Sequence, residues 1–138
     1  SFEIKEFSFL YILLTKPKLI HENFHLLDNV KLYSDENKQL YDEILNQSEN
    51  LFKLNFKNLN IDKNLINRVM NYASVKHIIS KYLNDDEKIL EIFTEIIQDL
   101  KNYELEQRIS DLESKFSEDM SETTFNELKE LKKQQKIN

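Results

Sequence analysis

The sequence predicts an all-α fold, in which a helical bundle subdomain is followed by a projecting antiparallel helical hairpin. Apolar residues recur at spacings of three and four through most of the 138 positions, which is the period of a helix with one buried face. Glycine is absent and proline occurs once, so the usual helix breakers are nearly missing, and asparagine can end helices in their place. Only one short segment alternates with period two, so a strand there would find no partner.

The first third of the chain predicts three helices. The first runs from Phe2 to Leu14 and stops before Pro17, because a residue that precedes proline is pushed out of the α region. A second, short helix carries Leu19, Ile20, Phe24 and Leu27. Ser34 is the predicted N-cap of the third, with two acids in its first turn and an inward face of Leu40, Tyr41, Ile44 and Leu45.

The middle of the chain predicts an extended segment and two further helices. Phe52, Leu54 and Phe56 alternate with polar residues, and we expect them to lie on the core as an extended loop. Asp62 caps the next helix, whose inward residues are Leu65, Ile66, Val69 and Met70. The helix after it presents Val75, Ile78, Ile79, Tyr82 and Leu83.

One long helix is predicted from about residue 85 to residue 116. Its first apolar stripe consists of Ile89, Phe93, Ile96, Leu100 and Tyr103, and its second of Leu105, Ile109, Leu112 and Phe116. The stripes are out of phase by two residues, which turns the apolar face by roughly 200°. The helix is therefore expected to serve two packing neighbours, one on each half.

The second neighbour is predicted to be the last helix. Ser121 is a good N-cap, and apolar residues follow it at regular intervals. The predicted subdomains are residues 1–102, the bundle, and 103–138, the hairpin, which share the long helix. The predicted hairpin core consists of Leu105, Ile109, Leu112, Phe116, Phe125, Leu128 and Leu131.

Composition excludes several classes of protein. With no cysteine, the chain has no disulfides, thiolate metal ligands or cysteine nucleophile. With no glycine, it cannot build a Walker-type phosphate loop or a dinucleotide-binding turn, so we expect no cofactor of those kinds. No apolar run approaches the roughly 18 residues that span a bilayer, so no membrane association is expected. The chain begins at Ser1 without an initiator methionine, and we expect it to be part of a longer protein.

Charge is divided unevenly along the chain. Residues 85–122 hold 13 acids and 4 bases, whereas residues 123–138 hold 2 acids and 4 lysines. The lysines Lys129, Lys132, Lys133 and Lys136 suit the C-terminal end of a helix electrostatically. Because an acidic segment lies beside them and no aromatic platform is interleaved, direct binding of nucleic acid is not expected.

Two groups of residues carry a resemblance to a known family. The first is the helix end Leu13-Leu14-Thr15-Lys16-Pro17-Lys18-Leu19, and the second is Leu105, Arg108, Ile109, Leu112, Ser121, Phe125, Leu128 and Leu131 in the predicted hairpin. With this architecture, the sequence resembles the C-terminal, helicase-binding domain of bacterial DnaG-type DNA primases over essentially its whole length.

The resemblance implies a noncatalytic interaction module that works at the bacterial replication fork, in the cytoplasm. In that family the bundle modulates the replicative DNA helicase and the hairpin docks on the helicase's N-terminal domains, while other domains synthesise primers. Some members also bind the tail of single-stranded DNA-binding protein on the bundle. The helicase's own N-terminal domain has a similar bundle, so it is an alternative interpretation of the first half.

The last helix offers candidate partner-binding residues. If its apolar residues pack inward, the side chains left to face a partner are Glu127, Lys132, Lys133, Gln135 and Lys136. A plain solvated helix face explains each of these positions equally well.

One motif points to a different function. His21-Glu22-Asn23-Phe24-His25 matches H-E-x-x-H, in which two histidines one helical turn apart ligate zinc and the glutamate acts as general base. Glu49 would be the third ligand that such a site needs. The predicted helix is short and its histidines flank an apolar stripe, so a surface histidine pair is the favoured interpretation and a small zinc hydrolase the alternative.

Overall fold

The computed structural model describes residues 2–47, 59–118 and 120–137. Within these ranges the chain forms seven α-helices and no strand, which confirms the predicted all-α class. Short 3₁₀ helices also occur at Phe24–Leu27 and Ser80–Tyr82. The α-helices are α1 Phe2–Thr15, α2 Pro17–Glu22, α3 Asp35–Asn46, α4 Lys63–Met70, α5 Ala73–Ile79, α6 Asp86–Glu118 and α7 Glu122–Ile137.

The chain divides into two compact units, Ser1–Leu100 and Lys101–Asn138, which we call the N-terminal and C-terminal units. Helix α6 contributes residues to both of them. From the sequence we predicted a boundary after residue 102 and a separate functional role for each subdomain. Those roles stay a prediction. The predicted extended segment at Phe52, Leu54 and Phe56 lies outside the described residues.

Helix α1 is the central element of the N-terminal unit. Nine consecutive residues, from Glu6 to Leu14, are buried, and α1 contacts α2, α3, α4 and α5. A helix that is apolar on all sides needs neighbours on all sides, which these helices supply. Of the helices in the described ranges, none combines the length and the apolar character that crossing a bilayer requires.

Aromatic rings join α1 to α3 and α6 in the core of the N-terminal unit. The ring of Phe9 stacks on that of Phe93 with centroids 5.2 Å apart, and it meets the ring of Tyr41 edge-on, also at 5.2 Å. The first predicted stripe of the long helix reaches this core through Ile89, Phe93, Ile96 and Leu100, all of which are buried.

A buried carboxylate fixes the start of α3. Glu6, on α1, is fully buried and accepts hydrogen bonds from the backbone N–H of Tyr33 (2.5 Å), the backbone N–H of Ser34 (3.3 Å) and Nδ2 of Asn37 (2.9 Å). Ser34 is at the N-cap position of α3, as predicted, but its side chain makes no capping bond. In addition to Asp35 and Glu36 in the first turn of α3, a carboxylate from another helix therefore lies at this helix start, in the favourable sense for the helix dipole.

Local polar contacts set the boundaries of other helices. Asp62 caps α4 by accepting from the N–H of Asn64 at 2.9 Å, as predicted, and Asp85 caps α6 by accepting from the N–H of Lys88 at 3.1 Å. Between α1 and α2, the Nζ of Lys16 donates to the carbonyl oxygen of Leu83 at 2.9 Å and pairs with Asp86 at 2.7 Å. This lysine ties the proline turn to the start of α6.

Two predictions about helices were wrong. The predicted second helix is divided at Asn23 into α2 and a 3₁₀ helix, and Phe24 at the division is 39% exposed. Helix α5 ends at Ile79, and Ile78 is 58% exposed although we predicted it to face inward. The buried residues of α5 are Val75 and Ile79, and the chain changes to 3₁₀ geometry after Ile79.

Candidate partner-binding surface

The C-terminal unit has a small core. Leu105 and Ile109 of α6 and Leu128 and Leu131 of α7 are buried together, and Leu112 packs against them. These five are among the seven predicted hairpin-core residues. The second apolar stripe of α6 thus packs in a cluster separate from the one that holds the first stripe.

Helix α7 begins at a side-chain cap. The hydroxyl of Ser121 accepts a hydrogen bond from the N–H of Thr124 at 3.2 Å and donates to Oγ1 of Thr124 at 2.8 Å. Thr124 is buried, so the cap also places a polar side chain at the edge of the core with its hydroxyl satisfied.

Two contacts give the order in which α6 and α7 meet. The rings of Phe116 and Phe125 lie 5.8 Å apart, and Glu113 pairs with Lys132 at 3.0 Å. Residues earlier in α6 thus meet residues later in α7, as in an antiparallel pair. The prediction of a projecting hairpin that includes all seven core residues stays a prediction. The other two predicted core residues lie outside the buried cluster, since Phe116 is half-buried and Phe125 is 48% exposed.

An open groove of about 400 Å³ runs along α7. We call it the lysine groove. Its apolar floor is Phe125 and Leu128, and every ionisable side chain that lines it is basic. Positions 125, 129, 133 and 136 follow one another at steps of four, four and three, and position 132 lies three residues after 129 and four before 136, which places all five on one helix face. The lining residues are Phe125, Leu128, Lys129, Lys132, Lys133 and Lys136.

The charge in the lysine groove is largely uncompensated. Lys132 pairs with Glu113, and both side chains in this pair are about half exposed, so the contact is a weak one. In the parts of the chain that the structure describes, no carboxylate lies within ion-pair distance of Lys129, Lys133 or Lys136. The groove therefore places three lysines that have no carboxylate partner in the described chain beside an exposed aromatic ring.

The structure brings together three of the five predicted partner-binding residues. Lys132, Lys133 and Lys136 line the lysine groove, whereas Glu127 and Gln135 are exposed on α7 and do not line it. The groove also contains Phe125, which we assigned to the core, and Lys129, and neither was among the predicted partner-binding residues. The spacing of Phe125, Lys129 and Lys133, four residues each, was the signal that could have found them.

The histidine motif does not have the geometry of a zinc hydrolase. Helix α2 ends at Glu22, and His25 lies in the separate 3₁₀ helix, so the two histidines are not one turn apart on one α-helix. Glu49, the predicted third ligand, lies outside the described residues. Among residues 2–47, 59–118 and 120–137, no three His, Asp or Glu side chains are grouped so as to hold a metal ion.

A larger cavity, of about 580 Å³, lies between α3 and α4. Its guanidinium, from Arg68, already pairs with Glu36, and Asp62 in its wall caps α4. Both groups therefore have structural roles in the described chain. The lining consists of Glu36, Gln39, Asn60, Ile61, Asp62, Asn64, Leu65 and Arg68.

Comparisons of the chain with protein-family models, with curated proteins and with solved structures give no match. An interpretation of function consequently depends on the residue pattern of the sequence and on the lysine groove.

Proposed function

We propose that this chain is the helicase-binding module of a bacterial DNA primase of the DnaG type. In this role it binds the N-terminal domains of the replicative helicase and couples primer synthesis, carried out by other domains, to the moving fork. The contact is reversible, and the C-terminal unit is the part that docks.

The lysine groove is the observation that carries the proposal. A helical pair whose core cluster holds four buried apolar side chains leaves an aromatic ring half exposed and three lysines without carboxylate partners in the described chain. Short helices owe most of their stability to packing, so a small core with an open apolar strip is suited to binding a partner helix.

The first group of family-like residues has a structural role that also supports the proposal. At the end of α1 the hydroxyl of Thr15 donates to the carbonyl oxygen of Tyr11 at 2.7 Å, and Lys16 bonds to both Leu83 and Asp86. The residues of this pattern thus hold the proline turn between α1 and α2 against the start of α6.

The test is a calorimetric titration of the full chain with the replicative helicase of the same organism, which measures the affinity of the two proteins. The first variant is Ile109→Asp, which places a charge in the core of the C-terminal unit. The matched control is Ile78→Asp, the same chemical change at an exposed position of the N-terminal unit. We expect the natural chain and Ile78→Asp to bind and Ile109→Asp to bind at least about tenfold more weakly, because it loses the packed helix face.

Three results would contradict the proposal. If the natural chain fails to bind the helicase, the primase assignment is wrong. If Ile78→Asp loses binding and Ile109→Asp retains it, docking belongs to the N-terminal unit. If the chain instead forms rings and binds a primase, it is better explained as the helicase N-terminal domain.

A further inference from the structure

The lysines of the groove need an explanation other than their place at a helix end. The dipole of a helix acts mainly within its last turn, and in α7 only Lys136 of the four lies there. Lys129 is two turns before the end of the helix. Their alignment with Phe125 and Leu128 on one face instead marks a surface that is apolar along its floor and basic along its rim.

We propose that the lysine groove receives an acidic amphipathic helix of the partner protein. One large apolar side chain of that helix seats against Phe125 and Leu128, and its carboxylates pair with Lys129, Lys133 and Lys136. The inference names the chemistry of the partner segment and rests on the proposed docking function.

The length of the groove agrees with a helix as the occupant. From Phe125 to Lys136 the groove extends over 11 residue steps of α7, or about 16 Å at 1.5 Å per residue. A partner helix of about three turns covers that distance. Apolar side chains at every third or fourth position of such a helix meet the floor while flanking carboxylates reach the rim.

Nucleic acid fits this surface less well than a protein helix does. Residues 101–138 contain 9 acids and 7 bases, so a polyanion that ran past the groove would meet repulsion. Exposed Glu122, Glu127 and Glu130 lie on the same helix as the lysines. A phosphate backbone also has no apolar group to bury on Leu128.

A second copy of this chain is the other occupant to consider. Its exposed Met120 lies between Glu118 and Glu122, so it combines an apolar side chain with carboxylates. That segment is the short connection between α6 and α7, however, and it is too short to lie along a groove of about 16 Å.

The test uses the full chain and three synthetic peptides of about 14 residues, long enough for the groove when helical. The first carries a leucine stripe flanked by glutamates. The second has the same charge but serine in place of leucine, and the third has lysine in place of glutamate. Binding is measured by fluorescence anisotropy at several salt concentrations, with a single-stranded oligo(dT) as a fourth probe.

Variants of the chain identify the surface. Lys133→Glu and Phe125→Ser change the rim and the floor of the groove. Their matched controls are Lys115→Glu and Met120→Ser, the same changes at exposed positions of the same unit outside the groove. Circular dichroism checks that each variant retains the helix content of the natural chain.

We expect only the first peptide to bind well, and its affinity to fall as salt rises. Lys133→Glu and Phe125→Ser should each weaken it by about tenfold, while both controls stay within about twofold. The same peptide should displace the helicase from the chain.

Several outcomes would overturn the inference. Equal binding of the serine peptide means that charge alone is recognised, and equal binding of oligo(dT) with the same sensitivity to Lys133→Glu means a nucleic-acid surface. Self-association that Lys133→Glu abolishes means that a second copy occupies the groove. If the helicase binds but the peptide does not displace it, the helicase docks at another surface. If the peptide binds but the helicase does not, the groove does bind an acidic amphipathic helix, but the proposed partner is wrong.

Discussion

Glu6 is a buried polar side chain whose replacement should cost the fold substantial stability. Glu6→Ala leaves the N–H groups of Tyr33 and Ser34 and the amide of Asn37 without their acceptor and opens a void in α1. We expect the free energy of unfolding to fall by about 3 kcal/mol, since buried donors that lose a charged acceptor cost this much.

Urea denaturation measures that change, with Glu6→Gln as an intermediate case because it retains one acceptor. The control is Glu3→Ala, which removes an exposed carboxylate of the same helix and should stay within about 0.5 kcal/mol. Equal midpoints for Glu6→Ala and Glu3→Ala would show that the buried network contributes nothing to stability.

Tyr41 should make stability sensitive to alkaline pH. Burial first, and then the nearby charges of Asp42 and Asp28, together raise the pKa of its phenol to about 12. An unfolded tyrosine titrates near pH 10, so between about pH 10 and 12 the folded chain retains a proton that the unfolded chain has lost. The free energy of unfolding therefore falls as pH rises through this window, and no contribution is lost below it.

The test of this pH dependence compares the Tyr41→Phe variant with the natural chain. The free energy of unfolding of each is measured by urea denaturation at a series of pH values. The variant should lose stability less steeply than the natural chain above pH 10, because phenylalanine has no proton to release. Ultraviolet titration of the six tyrosines should also lose its highest step. Parallel pH profiles for the two chains would contradict the assignment.

The sequence identifies side chains best where their partners are close in the chain. Asp62 and Ser121 were predicted as caps, because a capping side chain accepts from an N–H two or three residues later. Glu6 was not predicted to be buried, since its partners lie 27 to 31 residues away and carboxylates are usually exposed. Phe125 was misplaced because an apolar residue at helical spacing is first expected in a core.

Helix α7 depends on the Ser121 cap more than a helix of a large core would. We expect Ser121→Ala to destabilise the start of α7 by about 1 kcal/mol, because the N–H of Thr124 loses its acceptor. Amide hydrogen exchange of the full chain measures this locally, and the α7 amides should exchange several times faster. Ser121→Asp retains a capping oxygen and is the matched control.

If the amides of α7 exchange at the same rate in Ser121→Ala as in the natural chain, tertiary packing alone fixes the start of the helix. Faster exchange in α1 as well would point to a global loss of stability instead.

The elements themselves divide into those that a local pattern determines and those that it does not. The phase shift between the two stripes of α6 predicted that one helix serves two neighbours, and the stripes do lie in separate clusters. The division of the second helix at Asn23 was not predicted, since no proline or glycine marks it. Three lysines of the groove were predicted to lie together on the partner-facing side of α7. The groove itself could not be predicted, because it depends on Phe125 lying at the surface and not in the core.

The two units differ greatly in the size of their cores, and this difference predicts how the chain opens. The N-terminal unit buries a cluster that includes most of α1, whereas the cluster of the C-terminal unit holds four buried apolar side chains among the described residues. A region with few buried apolar contacts opens at a lower free energy than a region with many. The C-terminal unit should therefore open without unfolding the N-terminal unit.

Helix α6 allows this to be tested within one continuous element. In native-state hydrogen exchange, amides at 101–118 should exchange at least about tenfold faster than those at 89–100, a difference of about 1.4 kcal/mol in opening free energy. Leu128→Ala removes one of the four buried side chains and should speed exchange at 101–118 and in α7 while leaving 89–100 unchanged. Leu40→Ala is the same truncation in the core of the N-terminal unit, and it should speed amide exchange at 89–100. Uniform exchange along α6, changed equally by both substitutions, would mean that the chain unfolds as one cooperative body; a step near Leu100 would mean that the C-terminal unit can open and close while the N-terminal unit stays folded.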